Sequence, residues 1–240
     1  MAEALSAWRA GDYGVALDLW APLAHEGLAR AQSNMGAAFL QGRGVELDHA
    51  RAVDWLRRAA EQGDAGGQRN LALCHYEGWG VPQDHAEAAR LYEKAAQQGD
   101  PEAQDMLSWM KLVGGGCPQD YAGARLWAEK AAAHGSAAAM ARLGDIHHNA
   151  LGVERDAAAA VDWWARAARL GHPEAQAMLG AAYLAGKGVE RDVVEALHWL
   201  RRAEANGAGE LAAGFLKEAQ AHAKPSQRAE AERRAGEPLS

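Results

Sequence analysis

Cysteine is nearly missing from this sequence. Cys74 and Cys117 are the two in 240 residues. They do not make a disulfide framework, which excludes a small cross-linked secreted scaffold. Proline occurs seven times and phenylalanine twice, and β-branched residues are few. That shortage argues against strands and for helices. No apolar run nears the ~20 residues that span a bilayer, so no membrane insertion is expected. Residues 1–10 carry Glu3, Trp8 and Arg9 and no apolar h-region of a secretory signal. The expected location is cytoplasmic, or periplasmic if a signal peptide has been removed. Positive charge is also short, with 25 Lys and Arg against 32 Asp and Glu and a net charge of −7. Such a chain has no electrostatic route to nucleic acid. No G-x-S-x-G elbow, P-loop or H-E-x-x-H helix is present. No catalytic residue, cofactor or metal is therefore assigned.

What is present is alanine, within a chain that is 49% hydrophobic, and a period of 36 residues. Five units open at Ala31, Gly67, Ala103, Ala139 and Ala175. One column reads Asp48, Asp84, Asp120, Asp156, Asp192. Four residues later come Ala52, Ala88, Ala124, Ala160, Ala196. Then follow Trp55, Leu91, Trp127, Trp163, Trp199, with a basic residue three positions on: Arg58, Lys94, Lys130, Arg166, Arg202. Gly63, Gly99, Gly135, Gly171 and Gly207 sit near the end of each unit. So many columns do not stay in phase by chance.

Each column has a physical reading. A first helix opens the unit, as at residues 31–41. Pro101 and Pro173 suit its first turn, where a missing N–H costs nothing. The loops Gly42-Arg43-Gly44, Gly78-Trp79-Gly80, Gly114-Gly115-Gly116 and Gly186-Lys187-Gly188 permit positive φ. The repeated Asp predicts an N-cap for a second helix, and Glu87 and Glu195 predict capping boxes. The late Gly ends that helix. Ala columns allow close crossing, and the Trp column supplies buried area, with Trp163 and Trp199 expected largely buried. One helix pair cannot bury its apolar face alone, but stacked pairs can. The expected fold is all-α: a right-handed superhelical solenoid of stacked antiparallel helix pairs. Residues 1–30 read as a shortened opening pair, 31–210 as five repeats, 211–223 as a closing helix, and 224–240 as a mobile polar tail.

These columns resemble the Sel1-like repeat family. The fifth unit carries its motif as Ala175-Gln176, Leu179-Gly180, Tyr183, Gly186, Gly188-Val189, Asp192, Ala196, Trp199, Arg202 and Gly207. The resemblance spans residues 2–222. It implies a superhelix that acts as an adaptor between proteins, with no shared catalytic site. Cysteine-rich secreted relatives bridge two helices within one unit. No unit here holds two cysteines, so that subfamily's hydrolase activity is not carried over.

By analogy with tetratricopeptide arrays, the first helices line a concave face through the third, seventh, tenth and eleventh columns. The apolar centre of that face reads Leu73, Tyr76, Trp109, Leu112 and Val113. Its polar flank reads Arg69, Glu77, Asp105, Asp145 and His148. An apolar centre with a polar rim suits a protein or peptide partner. The competing reading is internal packing between neighbouring helices. The third repeat departs from the pattern with Trp109, Lys111 and Cys117. His147-His148 invites a metal, but neighbouring helix residues do not share a face, and a core role for His147 fits better. His49 and His85 are expected on a solvated edge, and Cys74 is expected buried and inert. The leading expectation is a monomeric, non-enzymatic scaffold. The alternatives are a hydrolase of cell-wall or β-lactam type and a purely structural assembly unit.

Overall fold

The computed structural model describes residues 1–236. Among them the chain forms fourteen α-helices and no strand. It divides into two compact units, Met1–Asp120 and a second beginning at Tyr121.

The first unit holds α1 (Ala2–Ala10), α2 (Tyr13–His25), α3 (Ala29–Gln41), α4 (His49–Glu61), α5 (Ala65–Glu77), α6 (His85–Gln97) and α7 (Pro101–Val113). Each helix packs on the next in chain order, and α3 also packs on α5. The second unit holds α8 (Tyr121–Ala133), α9 (Ala137–His148), α10 (Ala157–Arg169), α11 (Pro173–Ala185), α12 (Val193–Ala205), α13 (Gly209–His222) and α14 (Pro225–Ala235). The same consecutive stacking recurs, with α14 laid on α12.

The caps explain where the helices start. Asp48, Asp84, Asp156 and Asp192 accept from backbone N–H groups of α4, α6, α10 and α12. The expected capping boxes do not form there. Glu87 turns to Arg90, at 2.7 Å, and Glu195 to Arg234, at 2.8 Å. The N–H groups a box would use are already taken, by the His75 carbonyl for Asp84 at 2.8 Å and by the Tyr183 carbonyl for Asp192 at 3.1 Å. A second cap column escaped the sequence reading. Asp64, Asp100, Ser136 and His172 accept from the first turns of α5, α7, α9 and α11.

The core lies between paired helices. Leu56, Tyr92, Trp164 and Leu200 are buried on the second helices. They meet small residues on the first: a Cβ at Gly180 would stand 2.7 Å from Leu200 Cγ and 3.1 Å from the Ala196 carbonyl oxygen. That is why this column is small. The Trp column beside it is more exposed than expected. Trp199 is buried, but Trp163 is half-buried and its neighbour Trp164 takes the interior place. The basic residue three positions on has its own role. Lys130 and Arg166 each lie 4.1 Å from the centre of the Trp127 and Trp163 rings, a cation–π contact between helix neighbours.

The motif glutamine ties repeats together. Gln32, Gln68, Gln104 and Gln176 are buried and donate to carbonyls eight residues earlier, at the end of the preceding helix. Gln62, Gln98 and Asn206 then donate to Gln32, Gln68 and Gln176 at 2.7–2.9 Å. Buried amides with partners hold register, because a slip would strand them.

Part of the polar tail is helical. Residues 225–235 form α14, with Ala231 fully buried. Its charges find partners: Glu232 with Arg201 at 2.7 Å and Arg234 with Glu195 at 2.8 Å. The helix is thus seated on α12 by Ala231 in the apolar cluster and by partly exposed ion pairs. Residues 237–240 of the expected tail lie outside the described residues.

Candidate functional site

In the first unit, the aromatic residues of successive first helices meet. Tyr76 at the end of α5 and Trp109 on α7 stand edge to face, with ring centres 6.0 Å apart. Both are half-buried, as are Leu73 and Leu112, and Val113 is 50% exposed. The Tyr76 ring also stacks on His85 at 4.8 Å. His49 does the same with Trp79, at 5.1 Å. The two half-buried histidines thus stack on aromatic rings, His85 on Tyr76 of α5 and His49 on Trp79 of the loop after it. The backbone here is fixed by side chains from the following loop. Gln83 and Gln119 donate to the carbonyls of Tyr76 and Leu112 at 2.7 and 2.8 Å.

The polar flank divides. Glu77 is exposed. Arg69 is engaged: it donates to Asp100 at 3.3 Å, to Asn70, and lies 3.1 Å from Glu102. Asp105 is half-buried. Asp145 and His148 belong to the second unit, where both attend Trp164. The Trp164 indole N–H donates to Asp145 Oδ1 at 3.1 Å, and the His148 ring lies 5.2 Å from the indole. Burial pushes the Asp145 carboxyl above the usual carboxylate range, opposed by the Trp164 hydrogen bond and by the nearby His148, His172 and Arg142. Asp145 is therefore a structural acceptor for a core indole rather than an open rim charge.

The sequence reading finds no Ser-x-x-Lys pattern, and the chain corrects it: Ser108 and Lys111 do match that spacing of penicillin-binding enzymes. Ser108 is wholly buried, and Lys111 lies 3.4 Å from Asp120. No open nucleophile stands there. Burial holds the Cys74 thiol up to about 12, and Cys117 is also raised by burial, so neither has the lowered pKa of a reactive cysteine. Among the described residues, no three or more His, Cys, Asp or Glu are grouped to hold a metal ion. None of their helices is long and apolar enough to cross a membrane.

The Sel1 repeat model matches residues 29–64, 65–100, 101–136, 137–172 and 173–207. These repeats open two residues before the phase read from the sequence, at the first turn of each first helix. The structure is similar to that of a Sel1 repeat protein from Oxalobacter formigenes, with a TM-score of 0.85 and 28% identity, covering 99% of this chain and 97% of that one. It is also similar to a protective antigen of uropathogenic Escherichia coli strains that displays an SLR fold. There the TM-score is 0.79 and the identity 30%, covering 92% of this chain and 48% of that one. This chain thus spans about half the length of the antigen. No curated protein matches the sequence. Sel1 repeats are generally helical, non-catalytic interaction scaffolds. With five repeats matched across most of its length, the chain belongs to the Sel1 repeat family.

Proposed function

We propose that the protein is a non-enzymatic scaffold that binds a protein or peptide partner on the first-helix face of its first unit. Leu73, Tyr76, Trp109, Leu112 and Val113 form the apolar centre, and Arg69, Glu77 and Asp105 flank it. The observation that carries this reading is the half-exposed, edge-to-face pair of Tyr76 and Trp109 beside the exposed Val113. Repeats one and five hold Ala37 and Ala181 in the column of Trp109, so the repeat itself does not require bulk there. Aromatic side chains that keep surface in the free protein are the common energetic centres of interfaces. Glu77 and Asp105 favour a partner segment that carries Lys or Arg. In this reading Asp145 and His148 act on Trp164 and do not join that centre.

The test is a pull-down with the intact protein beside Tyr76→Ala and Trp109→Ala variants, followed by titration of the recovered partner. Trp109→Ala should weaken binding by more than ~2 kcal/mol, as for an interface hot spot, while thermal melting barely changes. A stability loss that fully accounts for the binding loss would mean that Trp109 is only core. Unchanged binding with unchanged melting would move the site elsewhere.

A further inference from the structure

The second unit contains a cavity of about 550 Å³. Trp164 of α10, Met178 and Ala182 of α11, and Phe215 of α13 line it. Its volume lies within the ~300–1,000 Å³ of typical ligand pockets. Two alanines open it. Ala181 and Ala185 occupy the seventh and eleventh columns, where other repeats place Leu73 and Glu77 or Trp109 and Val113. Only the fifth repeat has alanine at both.

The mouth is basic. His148, Arg155 and Lys187 line it, and none of the lining residues is acidic. Neither the Arg155 nor the Lys187 side chain makes an ion pair or hydrogen bond among the described residues. For Arg155 this is a departure from the repeat. Of the other residues in its column, Leu47 has no side-chain donor, and Gln83, Gln119 and Arg191 each donate to a backbone carbonyl of the preceding first helix, at 2.7–3.0 Å. Arg155 makes no such bond and lines the cavity instead. Two unpaired cations at one apolar mouth, in a chain of net charge −7, call for a carboxylate. Both side chains are exposed, so this charge selects among partners more than it supplies affinity.

We propose that this cavity receives a bulky apolar side chain of a partner peptide whose adjacent Asp or Glu pairs with Arg155 and Lys187. The assignment rests on the scaffold reading above, because Ala181 and Ala185 lie in the columns that carry the first unit's aromatic face. The rigid floor supports it: Trp164 is held by Asp145, and Gly144 lets the indole approach the α9 backbone closely. A pre-formed pocket loses little freedom on binding.

The test is selection of a random peptide library displayed on phage against the intact protein. Three variants run in parallel: Ala181→Trp, Arg155→Glu with Lys187→Glu, and Trp109→Ala. Ala181→Trp places in the fifth repeat the residue that the third repeat already holds in that column, and the charge reversals are on exposed side chains. Enriched peptides should pair a bulky apolar residue with a neighbouring Asp or Glu. The strongest, synthesised with both ends capped, should bind at least tenfold more weakly to the Ala181→Trp protein and to the doubly reversed protein, and no more weakly to Trp109→Ala. Peptides rich in Lys or Arg, or peptides that bind both pocket variants like the parent, would overturn the pocket. If such peptides were lost on Trp109→Ala alone, the scaffold reading would stand without it. No enrichment at all would overturn the pocket as a peptide site. A concentration-dependent dimer abolished by Ala181→Trp would assign the cavity to a second copy and overturn the peptide assignment.

Discussion

Ala150 sits in a glycine's place. The first helices of the other repeats leave through Gly42, Gly78, Gly114 and Gly186, with φ between 62° and 77°. In the fourth repeat the same column holds alanine, at φ 57°. The closing bond of the turn is kept, although α9 ends one residue earlier, with Asn149 as its C-cap. The Leu151 N–H bonds to the Ile146 carbonyl at 3.0 Å, as Trp79 and Lys187 bond to Cys74 and Ala182 at 2.9 and 3.1 Å. Ala150 thus keeps the glycine's left-handed conformation with a Cβ added. Holding an L-residue in the left-handed region costs about 1–2 kcal/mol. Ala150→Gly removes that strain but frees the unfolded chain, which returns about 0.4–1 kcal/mol. The net expectation is a gain of about 0.5–1 kcal/mol. Gly186→Ala is the reciprocal change and should cost about 1–2 kcal/mol, because its Cβ would also stand 3.2 Å from Arg191 Cβ. Urea titration followed by tryptophan fluorescence reads both. Because stacked repeats can open piecewise, hydrogen exchange in α9 and α11 should show the same order locally. A neutral or destabilising Ala150→Gly beside a neutral Gly186→Ala would refute the argument that backbone conformation governs this column.

Trp199→Ala should cost about 3–5 kcal/mol, since the side chain is 7% exposed. A loss below ~1 kcal/mol in the same titration would mean that the indole is not core. Asp145→Asn tests the buried carboxyl. A carboxyl with a raised folded pKa holds its proton more tightly when folded, so its contribution to stability falls as pH rises above the ordinary Asp value. Asn keeps an acceptor for Trp164 without the charge, so the variant should gain on the parent between pH 4 and 7. A difference that does not grow with pH would refute the assignment.

The repeat was legible because its columns answer to backbone chemistry. Asp48 caps, Gly63 ends a helix, and Ala52 lets helices close. Each reason acts within a few residues, so a linear reading finds it. Contacts between helices were harder. Trp163 and Trp164 are adjacent in sequence, yet which one enters the core depends on which faces Gly144 across the pair. The motif glutamine looked like a label. Its bond to a carbonyl eight residues back, at the end of the preceding helix, explains why Gln176 is buried. Trp109 stood out in the sequence because repeats one and five hold Ala37 and Ala181 in its column, whereas Tyr76 lies in a column of Leu40, Leu112, His148 and Leu184. Asp145 was placed in the correct column but read as a rim charge, because its indole partner lies nineteen residues on.

The cavity in the second unit was not read from the sequence for a different reason. Searching for function among unusually large side chains finds Trp109 and Tyr76, which add surface. A pocket is made by what is small, and alanine is the background of this chain. Ala181 and Ala185 attract notice only when compared with Leu73, Glu77, Trp109 and Val113 in their own columns. Arg155 likewise looks ordinary beside Arg191 until the bond that Arg191 makes to the Leu184 carbonyl is seen. The interior and capping columns of a Sel1 repeat are fixed by packing and hydrogen bonding. The seventh, eleventh and seventeenth columns vary in size and charge from repeat to repeat, and only some of their members, such as Asp145 and Gln83, are tied into the fold. The others are free to fill or to hollow the first-helix face, and to change its charge. On this argument, recognition in a chain of this kind should be sought first where a permissive column departs from its neighbours in either direction of size.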